Sequence, residues 1–199
     1  AVDRGGIVGP DGPTHQGMFD IAFMRCIPNL VIMTPSDLKE QFLMLNTGYR
    51  FNRPCVVRYE RTSDNTCTSG LSLDDTIEIG RGRLLLEGAK IAILAFGSIA
   101  KRVYSVAEKY NLTLADMRFV KPLDIELIHK LASTHDTFIT LEEGVVHGGV
   151  GQEILEVVED FNSLSNGRTK VITRGFSDHF IPEGTRDELL HDESLDNES

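Results

Sequence analysis

The chain has 199 residues, 41% of them hydrophobic and 25% charged, with a formal net charge of −10. That is an ordinary globular composition, long enough for one large or two modest domains with a buried core. The acidic balance argues against nucleic acid as the main ligand, and no apolar run approaches the roughly 20 residues that span a bilayer.

The charge is uneven. Residues 1–63 carry seven Lys/Arg against six Asp/Glu, whereas residues 64–199 carry thirteen against twenty-four. Six of the seven early bases are arginines (Arg4, Arg25, Arg50, Arg53, Arg58, Arg61), whose planar forks suit phosphate and carboxylate oxygens as well as structural ion pairs. The three cysteines, Cys26, Cys55 and Cys67, make neither a metal spacing nor a disulfide framework and suggest a reducing compartment. Cys26 and Cys55 lie beside apolar runs and read as core thiols.

Ala1-Val2-Asp3-Arg4 reads as the end of a strand running into a loop, so the chain is expected to begin inside a domain. The loop, Gly9-Pro10-Asp11-Gly12-Pro13-Thr14-His15-Gln16-Gly17, cannot be a helix interior or a central strand. It displays a carboxylate and an imidazole, residue types that move protons near neutral pH. Asp11 and His15 can be read as an acid/base pair or as loop supports, with Asp11 bonding backbone amides in an Asx-turn.

A short helix is expected over Met18–Cys26, ended by Pro28, and a strand over Leu30–Met33. Ser36 is the expected N-cap of a helix with an apolar face of Leu38, Phe42, Leu45 and Tyr49. Cys55–Arg58 is a strand delivering Arg58 and Arg61 at its end. Alternating strands and helices imply a parallel α/β layer, whose ligands bind beyond the carboxyl ends of strands, where Arg4 and Arg61 fall.

Residues 62–76 lack periodicity and coincide with the charge shift, which places a linker at 64–76 between units at 1–63 and 77–199. In the second unit, Arg83–Leu86 and Ile91–Phe96 are strands joined by a hairpin-type connection. Ser98 caps a helix facing inward through Ile99, Val103, Val106, Ala107 and Tyr110. Further strands are expected at Leu112–Met117, Thr137–Leu141 and Lys170–Thr173. Helices follow Pro122-Leu123-Asp124 and Gly148-Gly149. Glu142-Glu143 fits an acid/base pair or, more often, helix-start and interface acids. His147-Gly148-Gly149-Val150-Gly151 resembles a phosphate-cradling turn only weakly, and close backbone packing explains it better.

Asp3-Arg4-Gly5-Gly6, Asp11-Gly12-Pro13-Thr14-His15-Gln16-Gly17, Arg25-Cys26-Ile27-Pro28-Asn29, Thr34-Pro35-Ser36-Asp37, Asp116–Asp124 and Phe180–Thr185 occur in order with compatible spacing. Together they resemble the 1-deoxy-D-xylulose-5-phosphate synthase family. The Gly-Pro-Thr-His-Gln core is shared with transketolases; Gly17 with Phe19-Asp20, and the Arg25-Cys26-Ile27-Pro28 turn, look like the synthase. The resemblance implies an α/β fold of three-layer, mostly parallel sheets: part of a thiamine-diphosphate pyrimidine-binding domain, then a transketolase C-terminal-like domain. It implies condensation of pyruvate with glyceraldehyde 3-phosphate, with loss of carbon dioxide, for isoprenoid synthesis.

On this resemblance the phosphate-binding arginines fall on Arg4 and Arg61, and the active-site acid and histidine on Asp11 and His15. Members often have Pro and Gly where this chain has Glu60 and Thr62, which leaves Arg58 as the alternative to Arg61. The family's Gly-Asp-Gly motif for magnesium and the diphosphate, and the glutamate that activates the cofactor, would lie before residue 1. The resemblance also implies a cut within the final family helix. The chain is then a fragment, inactive alone, of a homodimer in bacterial cytosol or a plastid-type organelle, with no nucleic-acid or membrane partner. The alternatives are a transketolase, a 2-oxo acid dehydrogenase beta subunit, and a non-catalytic interaction module.

Overall fold

The computed structural model describes residues 1–61, 63 and 65–196; Thr62 and the linker residue Asp64 lie outside the described residues, as do 197–199. Two sheets organise it. The larger is built from β3 (Arg83–Leu86), β4 (Lys90–Phe96), β5 (Thr113–Asp116), β7 (His135–Val145) and β8 (Lys170–Phe176), in the order β3-β5-β4-β7-β8. Every pairing in it is parallel except β3 with β5.

The central strand β4 is an apolar run because both its faces are covered, as parallel sheets require. Ala92, Leu94 and Phe96 pack toward α5 (Ile125–Ala132) and α6 (Val150–Ser165). Ile93 and Ala95 pack toward α3 (Ile99–Arg102), α4 (Tyr104–Lys109) and α7 (Arg186–Asp192). These are the expected three layers.

The smaller sheet holds β1 (Val31–Met33) parallel to β2 (Cys55–Val57), flanked by α1 (Asp20–Arg25) and α2 (Leu38–Arg50). Its third strand, β6 (Phe119–Lys121), comes from the far side of the linker and runs antiparallel to β1. The two units therefore share a sheet. β6 is too short and too mixed in polarity to register as a strand in the sequence.

Four local expectations are corrected. β3 and β4 do not form a hairpin: β5 lies between them, and the turn at Gly88 passes against its start, where an added Cβ would stand 2.3 Å from Asn111 O. The single helix expected after Ser98 is two short ones, and Ser98 caps neither. Asp37, not Ser36, caps α2 by accepting from Glu40 N; Ser36 is buried and donates to Asp116 Oδ2 at 2.7 Å. Cys26 is exposed and Cys55 only half-buried.

The expected apolar face of α2 points outward, with Tyr49 91% exposed, while Glu40, Met44 and Thr47 face inward. Two local features turn the helix this way. Gly48 lies so close to β2 that a Cβ would come within 2.9 Å of Cys55 Sγ. Glu40 is held by Arg83 at 2.9 Å and by Arg118 at 2.8 Å. Asp116, also accepting from Arg83, completes a buried charge network between the units. Burial raises the Asp116 carboxyl above its ordinary range, against the pull of Ser36 and Arg83.

A buried acid that holds two guanidinium groups is costly to remove. Glu40→Ala is expected to lower the unfolding free energy by about 3 kcal/mol, whereas Tyr49→Ser leaves it nearly unchanged. Urea unfolding monitored by circular dichroism checks both; equal losses would mean that α2 packs through its apolar stripe.

Candidate functional site

The site is built where the first chain segment meets the C-terminal ends of the strands. Val2 bridges Arg58 in parallel, and Gly5 N donates to Tyr59 O at 2.9 Å, so residues 1–5 extend the small sheet beside β2. The chain then makes a closed loop. Gly6 and Gly17 exchange backbone hydrogen bonds of 3.2 and 3.0 Å, with a 3₁₀ turn at Gly9–Asp11 between them. Gly17 admits no side chain, since a Cβ would stand 2.1 Å from Arg4 O, and Gly6 has φ +70° with Glu143 against it.

The closed loop rests on the second unit. Gln16 Nε2 donates to Ile181 O at 3.0 Å and to Pro182 O at 3.1 Å. Val145 N donates to Met18 O at 2.8 Å. Beneath it lies Arg58, 2% exposed, whose Nε donates to both oxygens of Asp20 at 3.0 Å. Its Nη2 donates to Gly17 O at 2.9 Å and Glu143 O at 2.5 Å. Arg58 is thus a buried anchor whose Nε and Nη2 are already engaged.

Arg4 and Arg61 are placed differently. Half-exposed, they reach from two neighbouring strand ends, and each donates through Nη1 to the same atom, Asp11 Oδ2. The hydrogen bond from Arg4, then the bond and charge of Arg61, hold the Asp11 carboxyl below its ordinary range, so it stays an anion. Two convergent guanidinium forks around one anionic oxygen is the donor set of a phosphate or carboxylate subsite.

The expected pairing of Asp11 with His15 is not formed. His15 is exposed, and its Nδ1 pairs with the Thr14 hydroxyl at 2.9 Å. The structure therefore brings Arg4, Asp11 and Arg61 together and leaves His15 at the rim of the same loop.

Glu142 and Glu143 take the structural roles. Glu142 accepts from Val150 N at 3.0 Å and Gly151 N at 2.9 Å, satisfying the start of α6. Burial nevertheless pushes its carboxyl up to about 7. The amides of this turn are engaged internally, Val150 and Gly151 by Glu142, Gly148 by the Gln152 side chain and Gly149 by Val146 O, so they are not offered to a phosphate. Among the described residues no group of three His, Cys, Asp or Glu is placed to hold a metal ion.

Sequence reasoning missed Arg58–Asp20 as an anchor and the cluster of Glu60, Glu143 and Arg186, in which Arg186 Nη2 donates to both acids. Phe19-Asp20 stood out as a family mark without revealing its partner. Nothing local ties Arg186 to a strand 43 residues away.

Comparison with known proteins agrees with this architecture. Residues 1–65 match the transketolase pyrimidine binding domain and residues 80–199 the transketolase C-terminal domain. The chain belongs to the transketolase family.

Within that family it is 50% identical over 196 residues to the 1-deoxy-D-xylulose-5-phosphate synthase of Pasteurella multocida, covering 98% of this chain and 31% of that protein. It is equally similar to the synthase of Haemophilus influenzae strain PittGG, covering 98% of this chain and 30% of that protein. The chain thus spans about a third of the length of these relatives. A solved split-gene transketolase, described as an inactive beta4 tetramer, superposes with TM-score 0.77 at 27% identity, over 93% of this chain and 60% of that one. The Campylobacter jejuni transketolase shares the fold, with TM-score 0.63 at 17% identity over 95% of this chain and 28% of that one.

The anchor and the fork differ in what they can lose. Arg58→Met strands the buried Asp20 carboxylate and is expected to cost about 3–5 kcal/mol. Arg61→Met, at a half-exposed pair, is expected to cost less than about 1 kcal/mol. Denaturant midpoints measure both; equal destabilisation would contradict the division of labour between these two arginines.

Proposed function

We propose that this chain is the acceptor-binding part of a 1-deoxy-D-xylulose-5-phosphate synthase, which condenses pyruvate with glyceraldehyde 3-phosphate and releases carbon dioxide. The observation that carries the reading is the convergence of Arg4 and Arg61 on Asp11 Oδ2. The 50% identity to synthases supports it over the transketolase reading, for which the solved split-gene relative stands at 27%.

In this reading the acceptor's phosphate takes the place of the Asp11 carboxylate between the two forks. A dianion offers more acceptor oxygens than a carboxylate and satisfies both guanidinium groups more fully. Arg58, spent on Asp20 and two carbonyls, takes no part in phosphate binding. His15, four residues on in the same loop, hands a proton to the acceptor's carbonyl oxygen as it becomes a hydroxyl. Asp11, released from the arginines, keeps that edge of the site anionic.

The family uses thiamine diphosphate and magnesium, and among the described residues no three His, Cys, Asp or Glu are grouped to hold the metal ion. Their seat, and the chemistry they carry, belong to the other two thirds of the relatives' length. The isolated stretch is accordingly inactive; the split-gene relative described as an inactive tetramer is a parallel case. In this reading the complete protein is a homodimer, of the bacterial cytosol or of a plastid-type organelle.

Steady-state kinetics of the full-length protein with pyruvate and glyceraldehyde 3-phosphate tests this. Arg4→Ala is expected to raise the acceptor KM about 10- to 100-fold, the worth of a charged hydrogen bond, with the pyruvate KM unchanged. An unchanged acceptor KM would remove Arg4 from the site. His15→Ala is expected to lower kcat roughly 100-fold; activity within a few-fold of wild type would reduce His15 to a loop support.

A further inference from the structure

Glu60 is a buried acid that acceptor binding does not use. Its side chain is 5% exposed and that of Glu143 is fully buried. Both accept from one atom, Arg186 Nη2, Glu60 through Oε2 at 2.9 Å and Glu143 through Oε1. The hydroxyl of Ser98 donates to the same Glu60 oxygen. The three elements involved come from both sides of the linker: the end of β2, the end of β7 and the start of α7.

One guanidinium cannot neutralise two desolvated carboxylates, so one proton is retained between them. Burial, then the charge of Glu143, push the Glu60 carboxyl up to about 8 against the pull of Arg186 and Ser98. A hydrogen bond with Glu143, which only a protonated carboxyl can donate, acts in the same direction. The remaining charged groups facing this point are Lys101 and Arg102 of α3 and Asp37 at the start of α2. They line a cavity of about 320 Å³ with Glu60 and Arg186. Arg102 is also paired with Asp187 of α7, and Arg61, the next residue, is turned to Asp11.

The cluster lies under the acceptor loop. Arg186 Nη1 donates to Ile7 O at 2.6 Å, at the root of the loop. Gly9 sits against Gly184 O, and Gln16 is bonded to the carbonyls of Ile181 and Pro182 just upstream. We propose that Glu60 is a positioning residue for this loop: with Glu60 protonated beside Glu143, Arg186 stays clamped on Ile7 and holds the loop seated, and loss of that proton loosens it. The kinetic consequence rests on the acceptor reading above.

The sign follows from the two states. Glu60 ionises near 4.5 when unfolded and near 8 when folded. Its contribution is therefore complete at acid pH, declines as pH rises above 4.5, and is lost once pH passes about 8.

The test uses the full-length protein from pH 6.5 to 9.5. Wild type is expected to show an acceptor KM rising about fivefold or more through a midpoint near pH 8, with kcat nearly flat. Glu60→Gln, which keeps hydrogen bonding without titrating, is expected to abolish the rise. Ser98→Ala, which removes a donor to the ionised form, moves the midpoint upward.

Hydrogen exchange of residues 6–17, corrected for intrinsic rates, should lose protection over the same range in wild type and not in Glu60→Gln. A KM rise of unchanged midpoint in Glu60→Gln, or an unmoved midpoint in Ser98→Ala, would overturn the proposal. Absence of any wild-type turnover would refute the acceptor reading instead, and the exchange data alone would then decide the clamp.

Discussion

The structure depends on a guanidinium almost wholly withdrawn from water. Arg58 emerges from the end of β2 and spends its donors on a buried carboxylate, a loop carbonyl and a carbonyl of the opposite unit. A charge taken out of water is tolerated only when its geometry is fully satisfied. Satisfying this one fixes α1 through Asp20, the 6–17 loop through Gly17 and the large sheet through Glu143. The loop can carry glycines and prolines and still present side chains in a defined arrangement, because its ends are tied to this anchor and to each other.

From that anchor follows a separation of roles along four residues. Arg58 points inward and is structural; Glu60 points inward toward the other unit; Arg61 reaches back to the loop. Consecutive side chains of an extended segment alternate between faces, so Arg58 and Glu60 share the buried face and Arg61 falls on the other, toward Asp11. The convergence on Asp11 is the outward half of this arrangement. The Glu60–Glu143–Arg186 cluster is the inward half, and both bear on the same loop.

The fold class and most element positions were legible, because β4, α5 and α6 are long and strongly patterned, and burial on both faces leaves an unmistakable apolar run. What was not legible depends on contacts distant in sequence. α2 shows an apolar stripe, yet it packs through Gly48 and a doubly bonded Glu40. β6 is three residues long and exists only because β1 offers an edge. In the site, Arg4, Asp11 and Arg61 could be chosen as residue types suited to anions, but the pairing of Asp11 with arginines instead of with His15 is a property of the folded loop. Arg186 carried no local signal at all.

The central claim is that Arg4 and Arg61 form a seat for the acceptor's phosphate and that Arg58 does not. It is tested most directly by the ratio of kcat/KM for glyceraldehyde 3-phosphate to that for unphosphorylated glyceraldehyde, in full-length wild type and Arg61→Ala. The account predicts that wild type strongly prefers the phosphorylated acceptor and that the preference collapses in Arg61→Ala, with turnover of glyceraldehyde little changed. A preference that survives loss of Arg61 would contradict it.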